Sequence, residues 1–599
     1  MVIIHTGNTN AEPIYVSHDA GETWENRYDN IVLKQYLPWA KGYGVSANGH
    51  DIKIDPFDSG RVFLTDWFGV YHTDNIYAEP TQEWTNQIEG IEEVVPRDGY
   101  SPATGDYRLI VGIADVDGFV YKDVTKYPER QVRLERQEAD EPWMMSTTQV
   151  DCCLEKPEIV LRVGVDWNVN GKVELSMDNT ETWTNITNIP TYVDASGNPT
   201  TAIPMGRCAV SSKINPETGY PSMVILPAYN PNDSKRLPEG MATVPWVSLD
   251  LGKTWKQVEG LPSNINVMDD YWDTYNPLVS DKVAGNKFYL FGNDYNMYVS
   301  EDWGQTWTQT EHIQGDLNTV IVRATPGKEG DVWVGIGQWG LWHSTDGGQT
   351  FTKNEYATSV TGFGFGVAAP GLTDPAMYLV GSINGINAIF RSDDMGNEWV
   401  KITDDEHKQG AAYKWVVGDS RTYGVVYIGT QGRGIYLGAP KGTDLTYKEE
   451  ESTTDEGETQ AVRPKIFYNG SQMPMADIPI TPQGDVMIPV REFLTYYHMD
   501  MTWDDATRSL TAKRNILDVS MGAWAANGSV EGISLVIGLD NNVIQVNGKD
   551  IELSTAPYLY GGQMYAPLEE LVDALGGFVK KSADGSEIKV YDNGLIMHE

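Results

Sequence analysis

The segment VSEDWGQTWTQT, residues 299–310, contains a pattern that recurs between residues 17 and 399 of this 599-residue chain. The pattern is S-x-D-x-G-x-x-W or a close variant, and its six copies begin at Ser17, Ser176, Ser248, Ser300, Ser344 and Ser392. Each copy follows a short β-rich run, and the last four aspartates are 52, 44 and 48 residues apart. This period is typical of one four-stranded blade of a β-propeller.

The chemistry of the repeated pattern is that of a tight turn between two outer strands of a blade. Its aspartate accepts hydrogen bonds from turn amides, its glycine allows a positive φ, and its aromatic ring packs back across the turn. Such segments are known as Asp-boxes, and they usually lie at the blade periphery. Asp302 and its equivalents are therefore predicted to be structural and not catalytic.

The predicted fold class is all-β, a seven-bladed β-propeller with Asp-box repeats, together with a small α+β C-terminal domain. Units begin near residues 45, 92, 145, 200, 264, 316 and 360. Two strand pairs without a box are predicted at 61–75 and 107–123, and a third pair at 424–438 is predicted to complete a blade with the N-terminal strand of 14–24. The predicted divisions are 1–44 for the end of a preceding propeller or ring-closing strands, 45–440 for the propeller, 441–464 for an acidic linker and 465–599 for the C-terminal domain.

Composition limits the classes of partner. A formal net charge of -40 argues against nucleic acid, because phosphate binding requires a surface rich in Lys and Arg. Cys152, Cys153 and Cys208 are too few for a disulfide framework and lack the spacing of a zinc site, so they are predicted to be buried. The sequence contains no run of 18 apolar residues, so no membrane span is predicted. The N-terminal residues enter a strand pattern at once, so no signal peptide is predicted there.

The C-terminal segment has a different organisation from the repeats. Residues 487–514 are predicted to form a short amphipathic helix followed by a hairpin, and 541–592 repeat this order around an Asn547-Gly548 turn. This segment resembles the copper amine oxidase N-terminal-like domain of bacterial secreted proteins. His498 and His598 are isolated in the sequence, so an attachment or spacer role is favoured over metal chemistry, and no cofactor or metal is expected.

The chemistry outside the boxes rests on carboxylates and aromatic rings, because no HExxH, phosphate-binding glycine loop or G-x-S-x-G motif occurs. These groups are typical of carbohydrate enzymes, in which rings stack on sugar faces and carboxylates transfer protons. For each candidate ring, burial in the propeller is the alternative. The candidate substrate-binding residues are Trp39, Trp67, Phe119, Trp167, Tyr271, Trp272, Trp339 and Trp415.

Segments such as HDIKIDPFDSGRVFLTDWFGVYHTDN, ATPGKEGDVWV and VYIGTQGRGIYLG resemble glycoside hydrolase family 74, the xyloglucanases and related endoglucanases with two seven-bladed propellers. The resemblance covers residues 45–440 and corresponds to the second propeller. It implies an inverting mechanism with one catalytic aspartate from each propeller. The family's general base lies near the start of the first propeller, so we expect that half to lie outside this sequence.

The resemblance places Asp115 on the position of the general acid, within Gly112-Ile113-Ala114-Asp115-Val116-Asp117-Gly118-Phe119. Asp117 is an alternate or assisting carboxylate, predicted to point to the same face of a strand as Asp115. Repulsion between the two carboxylates would raise one pKa. The alternative is that both bind only sugar hydroxyls or solvent.

The predicted function is inverting hydrolysis of a β-1,4-glucan backbone, xyloglucan, with this chain supplying the general-acid half of the site. The alternative is a non-catalytic polysaccharide-binding or interaction propeller. The expected partner is a plant cell-wall polysaccharide, with no nucleic acid. The expected location is extracellular, in a secreted bacterial protein attached to the cell surface or wall through its C-terminal domain.

Overall fold

The computed structural model divides the chain into two compact units, residues 1–449 and 450–599. It describes residues 2–5, 14–34, 39, 51–66, 69–88, 94–128, 131–132, 144–229, 235–263, 265, 275–315, 319–403, 415–445, 465–468, 471–472, 486–496, 499–504, 507–514, 533–539, 541–560, 563–582 and 587–591. No helix among these residues has the length and apolar character needed to span a membrane.

Two sheets come first along unit 1. The first, in the order β1-β2-β3, contains β1 (Val2–His5), β2 (Ile14–Ser17) and β3 (Glu25–Asn26). The second, in the order β4-β8-β7-β6-β5, contains β4 (Ile31–Lys34), β5 (Asp51–Ile54), β6 (Val62–Asp66), β7 (Gly69–Thr73) and β8 (Gln82–Asn86). The β6–β7 hairpin confirms the strand pair predicted at 61–75.

Seven antiparallel sheets follow, and in each of them consecutive strands are neighbours. The first sheet contains β9 (Val95–Tyr100), β10 (Leu109–Ala114) and β11 (Gly118–Tyr121), and the second contains β12 (Ser146–Cys152), β13 (Val160–Val165), β14 (Gly171–Ser176) and β15 (Thr184–Asn185). The third sheet contains β18 (Met205–Ile214), β19 (Pro221–Pro227), β20 (Trp246–Ser248) and β21 (Lys256–Gln257). The fourth contains β22 (Leu278–Ser280), β23 (Phe288–Phe291), β24 (Asn296–Ser300) and β25 (Thr308–His312). A separate hairpin between the second and third sheets contains β16 (Thr191–Val193) and β17 (Pro199–Ala202).

The fifth sheet contains β26 (Val320–Ala324), β27 (Val332–Ile336), β28 (Gly340–Ser344) and β29 (Thr352–Lys353). The sixth contains β30 (Ala357–Gly366), β31 (Ala376–Ile383), β32 (Ile386–Ser392) and β33 (Val400–Lys401). The seventh contains β34 (Trp415–Gly418), β35 (Val426–Gly429) and β36 (Ile435–Gly438). The β10–β11 hairpin confirms the pair predicted at 107–123. The pair near 424–438 is β35–β36, but its sheet partner is β34. The N-terminal β2 pairs with β1 and β3, so the prediction that it shares this blade is wrong.

The first strands of the seven sheets pack against one another in sequence. Each contacts the first strand of the next sheet, and β34 contacts β9. A cavity of about 440 Å³ is lined by residues from all seven of these strands. These first strands are largely buried but include polar residues such as Asp98, Gln149 and Arg207. The second strands, such as Phe288–Phe291 and Val332–Ile336, are apolar, and their side chains fill the space between sheets.

The turn of residues 299–310 shows how the repeated pattern works. Ser300 Oγ donates to Asp302 Oδ1 at 2.9 Å, and the Thr306 amide donates to the same carboxylate oxygen at 2.8 Å. Trp307 Nε1 donates to the Gly304 carbonyl at 3.0 Å, which fixes the ring across the turn. The same serine-to-aspartate bond occurs in the other copies, which begin at Ser17, Ser176, Ser248, Ser344 and Ser392.

Replacing Asp346 with alanine should lower the free energy of unfolding by about 1 kcal/mol, because the turn loses hydrogen bonds from Ser344 and Thr350. Burial raises the pKa of Asp346, but the hydrogen bonds from Thr350 and Ser344 together outweigh it and lower this pKa from 3.8 to about 2. Its stabilising contribution is therefore complete above pH 3.8 and lost as the pH falls toward about 2. Denaturant unfolding at pH 7 and pH 2 tests both effects. The exposed Glu355→Ala variant is the control, and equal losses in both variants would contradict the role of the turn.

The described residues of unit 2 form three sheets and two helices, which agrees with the predicted α+β domain. The sheets are β38-β37-β48-β47, β39-β46-β45 and β40-β41-β42-β43-β44. The strands are β37 (Lys465–Tyr468), β38 (Ser471–Gln472), β39 (Met487–Pro489), β40 (Asp500–Asp504), β41 (Ser509–Arg514), β42 (Ile533–Gly538), β43 (Val543–Val546), β44 (Lys549–Glu552), β45 (Tyr558–Tyr560), β46 (Gln563–Pro567), β47 (Phe578–Lys581) and β48 (Glu587–Tyr591), and the helices are α1 (Val490–Tyr496) and α2 (Leu568–Ala574).

The predicted turn of unit 2 is confirmed between β43 and β44. Asn547 and Gly548 have φ values of 50° and 75°, the left-handed conformation that a two-residue hairpin turn requires. The predicted helix and hairpin of 487–514 are α1 and the β40–β41 pair. Local turn and periodicity signals therefore determine this part of the fold.

Candidate active site

Asp115 and Asp117 lie in the turn that joins β10 to β11. Both have positive φ values, 67° and 70°, which non-glycine residues seldom adopt and which cost about 1–2 kcal/mol each. Consecutive residues of a turn do not alternate as they do on a strand. The prediction that the two side chains point to the same strand face is therefore wrong, and their surroundings differ.

The carboxyl group of Asp115 is partly exposed and accepts no hydrogen bond from any residue that the structure describes. Its backbone amide donates to Ser146 Oγ at 3.0 Å, which fixes the turn against the start of β12. Burial raises the pKa of Asp115, and the nearby positive charge of Arg97 opposes this rise only in part. Desolvation of the carboxyl group therefore raises this pKa, and the predicted repulsion from Asp117 does not contribute.

Asp117 is buried and ion-paired. Its carboxylate contacts the guanidinium of Arg162, which also donates from Nε to Glu174 Oε2 at 2.9 Å. The guanidinium carbon of Arg162 lies 4.6 Å from the centre of the Trp183 ring. The Asp117 amide donates to the Met145 carbonyl at 2.8 Å. This ion pair and the amide bond hold the turn in place.

Three of the predicted sugar-binding rings are buried in the apolar core. Trp39 and Phe119 pack on each other with ring centres 5.1 Å apart, and Trp415 lies in the same cluster. Gly99 and Gly429 leave the space that the Trp415 ring fills. Sugar stacking requires an accessible ring face, so the substrate-binding prediction is corrected for these three residues to a packing role.

Two other predicted rings keep an accessible surface. Trp167 is 47% exposed in the turn between β13 and β14, and Trp339 is half-buried in the 3-10 helix Gly337–Trp339 between β27 and β28. Both turns join the second strand of a sheet to the third, as the turn of Asp115 does. The predicted residues that lie outside the described part of the chain are Trp67, Tyr271 and Trp272.

The supporting residues Arg97, Ser146, Arg162 and Glu174 were missed in the sequence. The available signal was the position of Arg162 within Val160–Val165, a strand that is otherwise apolar. A charge in a strand buried on both faces requires a buried counter-charge. Glu174 on the neighbouring β14 lies directly opposite Arg162 in the strand register and provides it.

Comparison with known proteins supports the sequence resemblance. The chain is 32% identical over 408 residues to a Paenibacillus xyloglucanase, covering 65% of this chain and 35% of the relative. It is 31% identical over 462 residues to xyloglucanase Xgh74A of Acetivibrio thermocellus, covering 72% of this chain and 48% of the relative. The chain resembles the xyloglucanases of glycoside hydrolase family 74. It spans less than half the length of these two curated relatives.

Solved structures support the same fold. The chain matches the Niastella koreensis family 74 enzyme with a TM-score of 0.54 and 25% identity, covering 71% of this chain and 55% of that one. It matches the family 74 xyloglucanase of Xanthomonas campestris with a TM-score of 0.56 and 24% identity, covering 72% and 56% of the two chains. The mostly β fold predicted from the repeats is confirmed.

Residues 467–590 match the copper amine oxidase N-terminal domain, which confirms that resemblance. Within the described residues, no group of three or more His, Cys, Asp or Glu side chains is arranged to hold a metal ion. His498 and His598 lie outside the described residues. The described donor set therefore does not fit a copper centre, and we derive no step through one.

Proposed function

We propose that the seven sheets from β9 to β36 are the blades of one closed propeller, whose first blade is then the unit predicted near residue 92 and not the one predicted near residue 45. The support is the sequence of contacts between first strands, which ends with β34 against β9, and the cavity that all seven line. In this ring the Ser-x-Asp turns join the third strand of a blade to the fourth and lie at its edge, as expected for Asp-boxes. The seventh blade has three described strands, β34 to β36.

The proposed function of the chain is hydrolysis of the β-1,4-glucan backbone of xyloglucan, with Asp115 as the general acid. One observation carries this assignment: Asp115 combines a partly exposed carboxyl group without a described hydrogen-bond donor and a pKa raised by burial. A general acid must hold its proton at the working pH and release it to the leaving oxygen. The similarity to xyloglucanases supports the substrate.

Asp117 has a supporting role in this proposal. It is ion-paired to Arg162 inside the protein, so protonating it would leave that guanidinium with one fewer anion. Asp115 has no such partner and gives up its proton without breaking an ion pair. The Asp117–Arg162 pair instead holds the strained turn so that Asp115 faces the substrate side.

The proposed substrate surface is the face of the ring that carries the turns between second and third strands. Asp115, Trp167 and Trp339 belong to three different blades and lie in turns of this kind. Exposed rings on this face can stack on the apolar faces of glucose units while Asp115 protonates the scissile oxygen. An inverting reaction also needs a general base roughly 6.5–9.5 Å from the acid, which the resemblance assigns to a second propeller.

The proposed location is extracellular, in keeping with a polymeric cell-wall substrate and with the net charge of -40. The C-terminal unit is proposed to attach the protein to the cell surface or wall. Its match to the copper amine oxidase N-terminal domain, which the sequence analysis associates with bacterial secreted proteins, supports this proposal.

Release of reducing ends from tamarind xyloglucan tests the proposed activity, with affinity electrophoresis in the same polymer run in parallel. We expect retardation in the gel for this chain, and product formation when the propeller that carries the general base is also present. Retardation without product in the presence of both propellers would establish a polysaccharide-binding propeller and contradict catalysis. Neither retardation nor product would contradict the carbohydrate function as a whole.

A further inference from the structure

The cavity at the centre of the seven sheets combines apolar walls with a few charged groups. Its apolar lining includes Leu154, Leu278, Val279, Phe365, Trp415 and Val416. Its charged lining consists of Asp98, Asp151, Lys282 and Arg323. A volume of about 440 Å³ lies within the range of small-molecule sites, which have this same mixture of many apolar and few polar groups.

The cavity is separate from the proposed catalytic turn. Asp115 contacts Ser146, the first residue of β12, whereas the cavity is lined by Gln149, Val150 and Asp151 further along that strand. Asp115, Trp167 and Trp339 do not line it. Nothing in the proposed hydrolysis therefore uses this space.

The two carboxylates of the cavity differ in their surroundings. Asp151 accepts hydrogen bonds from the Cys152 amide at 3.0 Å and the Val210 amide at 2.9 Å, so its charge does not depend on Lys282 alone. Burial raises the pKa of Asp98, and the charges of Arg323 and Arg207 oppose this rise only in part. Asp98 is therefore a poor counter-ion for the cations of the cavity.

The two cations are less well satisfied. Arg323 Nη2 lies 3.8 Å from Asp98 Oδ1, and Lys282 Nζ lies 3.5 Å from Asp151 Oδ1, both longer than a charge-assisted hydrogen bond. Lys282 has one further contact, with Ser280 Oγ at 3.1 Å. Arg323 donates to the Val322 carbonyl at 3.0 Å and, with the Asn276 amide oxygen turned toward it, to that oxygen at 3.0 and 3.2 Å.

The balance of donors and acceptors in the cavity thus favours an incoming anion. An arginine has five N–H donors and a lysine three, so donors of both cations remain unused by the described residues. Burial lowers the pKa of Arg323 despite the opposing charges of Asp98 and Asp151. The guanidinium of Arg323 is partly exposed and lies 3.8 Å from Asp98, so the carboxylates present leave its positive charge without a close counter-charge.

We propose that the central cavity is a binding site for a small organic carboxylate with an apolar body. Its carboxylate accepts hydrogen bonds from Arg323 and Lys282, and its apolar part lies against Leu278, Phe365 and Trp415. Inorganic anions would use the same donors but would leave the apolar walls uncovered. A neutral molecule of the same shape would leave the donors unused.

Calorimetric titration of the whole chain with benzoate, in low-salt buffer at pH 7, tests this site. Benzoate should bind saturably at one site per chain, and its neutral isostere benzamide should bind at least about tenfold more weakly, because it cannot accept charge-assisted hydrogen bonds from both cations. Acetate should also bind more weakly than benzoate, because it lacks the apolar surface. Equal affinities for benzoate and benzamide, or no benzoate binding at all, would overturn the proposal.

Two variants locate the binding. Arg323→Met and Lys282→Met should each weaken benzoate binding by about tenfold. The control is Lys256→Met, which removes an exposed lysine on β21, the outermost strand of its sheet, and should leave affinity unchanged. Thermal unfolding checks that each variant is folded, and if Arg323→Met is not folded, Lys282→Met decides the result. Unchanged affinity in folded Lys282→Met, or an equal loss in Lys256→Met, would contradict the assignment.

Discussion

Asp115→Asn should reduce the rate of reducing-end release from xyloglucan by about 10²–10⁴-fold in the full-length protein, the usual contribution of a general acid. Asparagine is close in shape to aspartate, and the Asp115 backbone amide keeps its bond to Ser146 Oγ. Binding of the polymer should therefore change little while turnover falls. The measurement is the initial rate at saturating xyloglucan, with affinity electrophoresis as the readout of binding.

The pH profile gives a second readout of the same residue. The pKa of Asp115 is raised above 3.8 by burial, so the protonated, active form persists to a higher pH than it would in water. Activity should fall as the pH rises through that raised value, and the Asn variant should lack this alkaline limb. The free energy of unfolding should depend on pH in the same direction. Because the folded state favours protonated Asp115, this contribution to stability is fully present at low pH and is lost as the pH rises through the folded-state pKa.

The matched control is Asp106→Asn. Asp106 is exposed in the loop before β10, at the opposite end of that strand from Asp115. It should retain full activity and the complete pH profile. Unchanged turnover in Asp115→Asn, or equal losses in the two variants, would refute the assignment of the general acid.

The repeated turns could be predicted from the sequence because they are local. Ser300, Asp302 and Thr306 lie within seven positions, and their bonds depend on a single backbone conformation. The strand pairs and the Asn547-Gly548 turn were predictable for the same reason. The predicted pairing of β2 with the strands near 424–438 was wrong. No local sequence signal specifies which of several similar strands completes an incomplete sheet.

The surroundings of the candidate acid could not be predicted in the same way. Asp117 meets Arg162 across 45 positions of the chain, and Trp415 fills the space that Gly99 leaves on the first sheet. Whether an aromatic ring binds sugar or fills the core depends on such distant contacts. From the sequence alone, Trp167 and Trp415 were therefore equally good candidates for sugar binding. In the structure, Trp167 is exposed and Trp415 is buried.

Arg108→Met should lower the free energy of unfolding by about 3–5 kcal/mol, the usual cost of removing one partner of a buried ion pair. Arg108 Nε donates to Asp419 Oδ2 at 2.6 Å across 311 positions, and both side chains are buried. Burial alone would lower the pKa of Arg108, but the hydrogen bond and the charge of Asp419 outweigh it and leave this pKa above its usual value. Methionine fills much of the same space and removes the charge.

The size of this effect follows from the position of the pair between the first and last of the seven sheets. Arg108 precedes β10, and Asp419 follows β34. Asp419 also accepts hydrogen bonds from the amides of Arg421 and Thr422, at 2.8 and 2.6 Å, so it orders the segment that meets the first sheet. Arg421 then donates to the carbonyls of Gly105 and Tyr107, each at 2.8 Å. These side-chain contacts thus join the first and last sheets of the proposed ring.

Denaturant unfolding measures the loss. Lys328→Met is the control because it breaks a 2.7 Å ion pair with Asp374 that is partly exposed to solvent and is worth about 1 kcal/mol or less. The double variant Arg108→Met/Asp419→Asn should recover part of the stability, since it removes the unpaired buried carboxylate that the single variant leaves behind. A loss in Arg108→Met no larger than in Lys328→Met would show that the Arg108–Asp419 pair does not hold the ring closed. The expected recovery in the double variant would identify the uncompensated charge of Asp419 as the main cause of the loss in Arg108→Met.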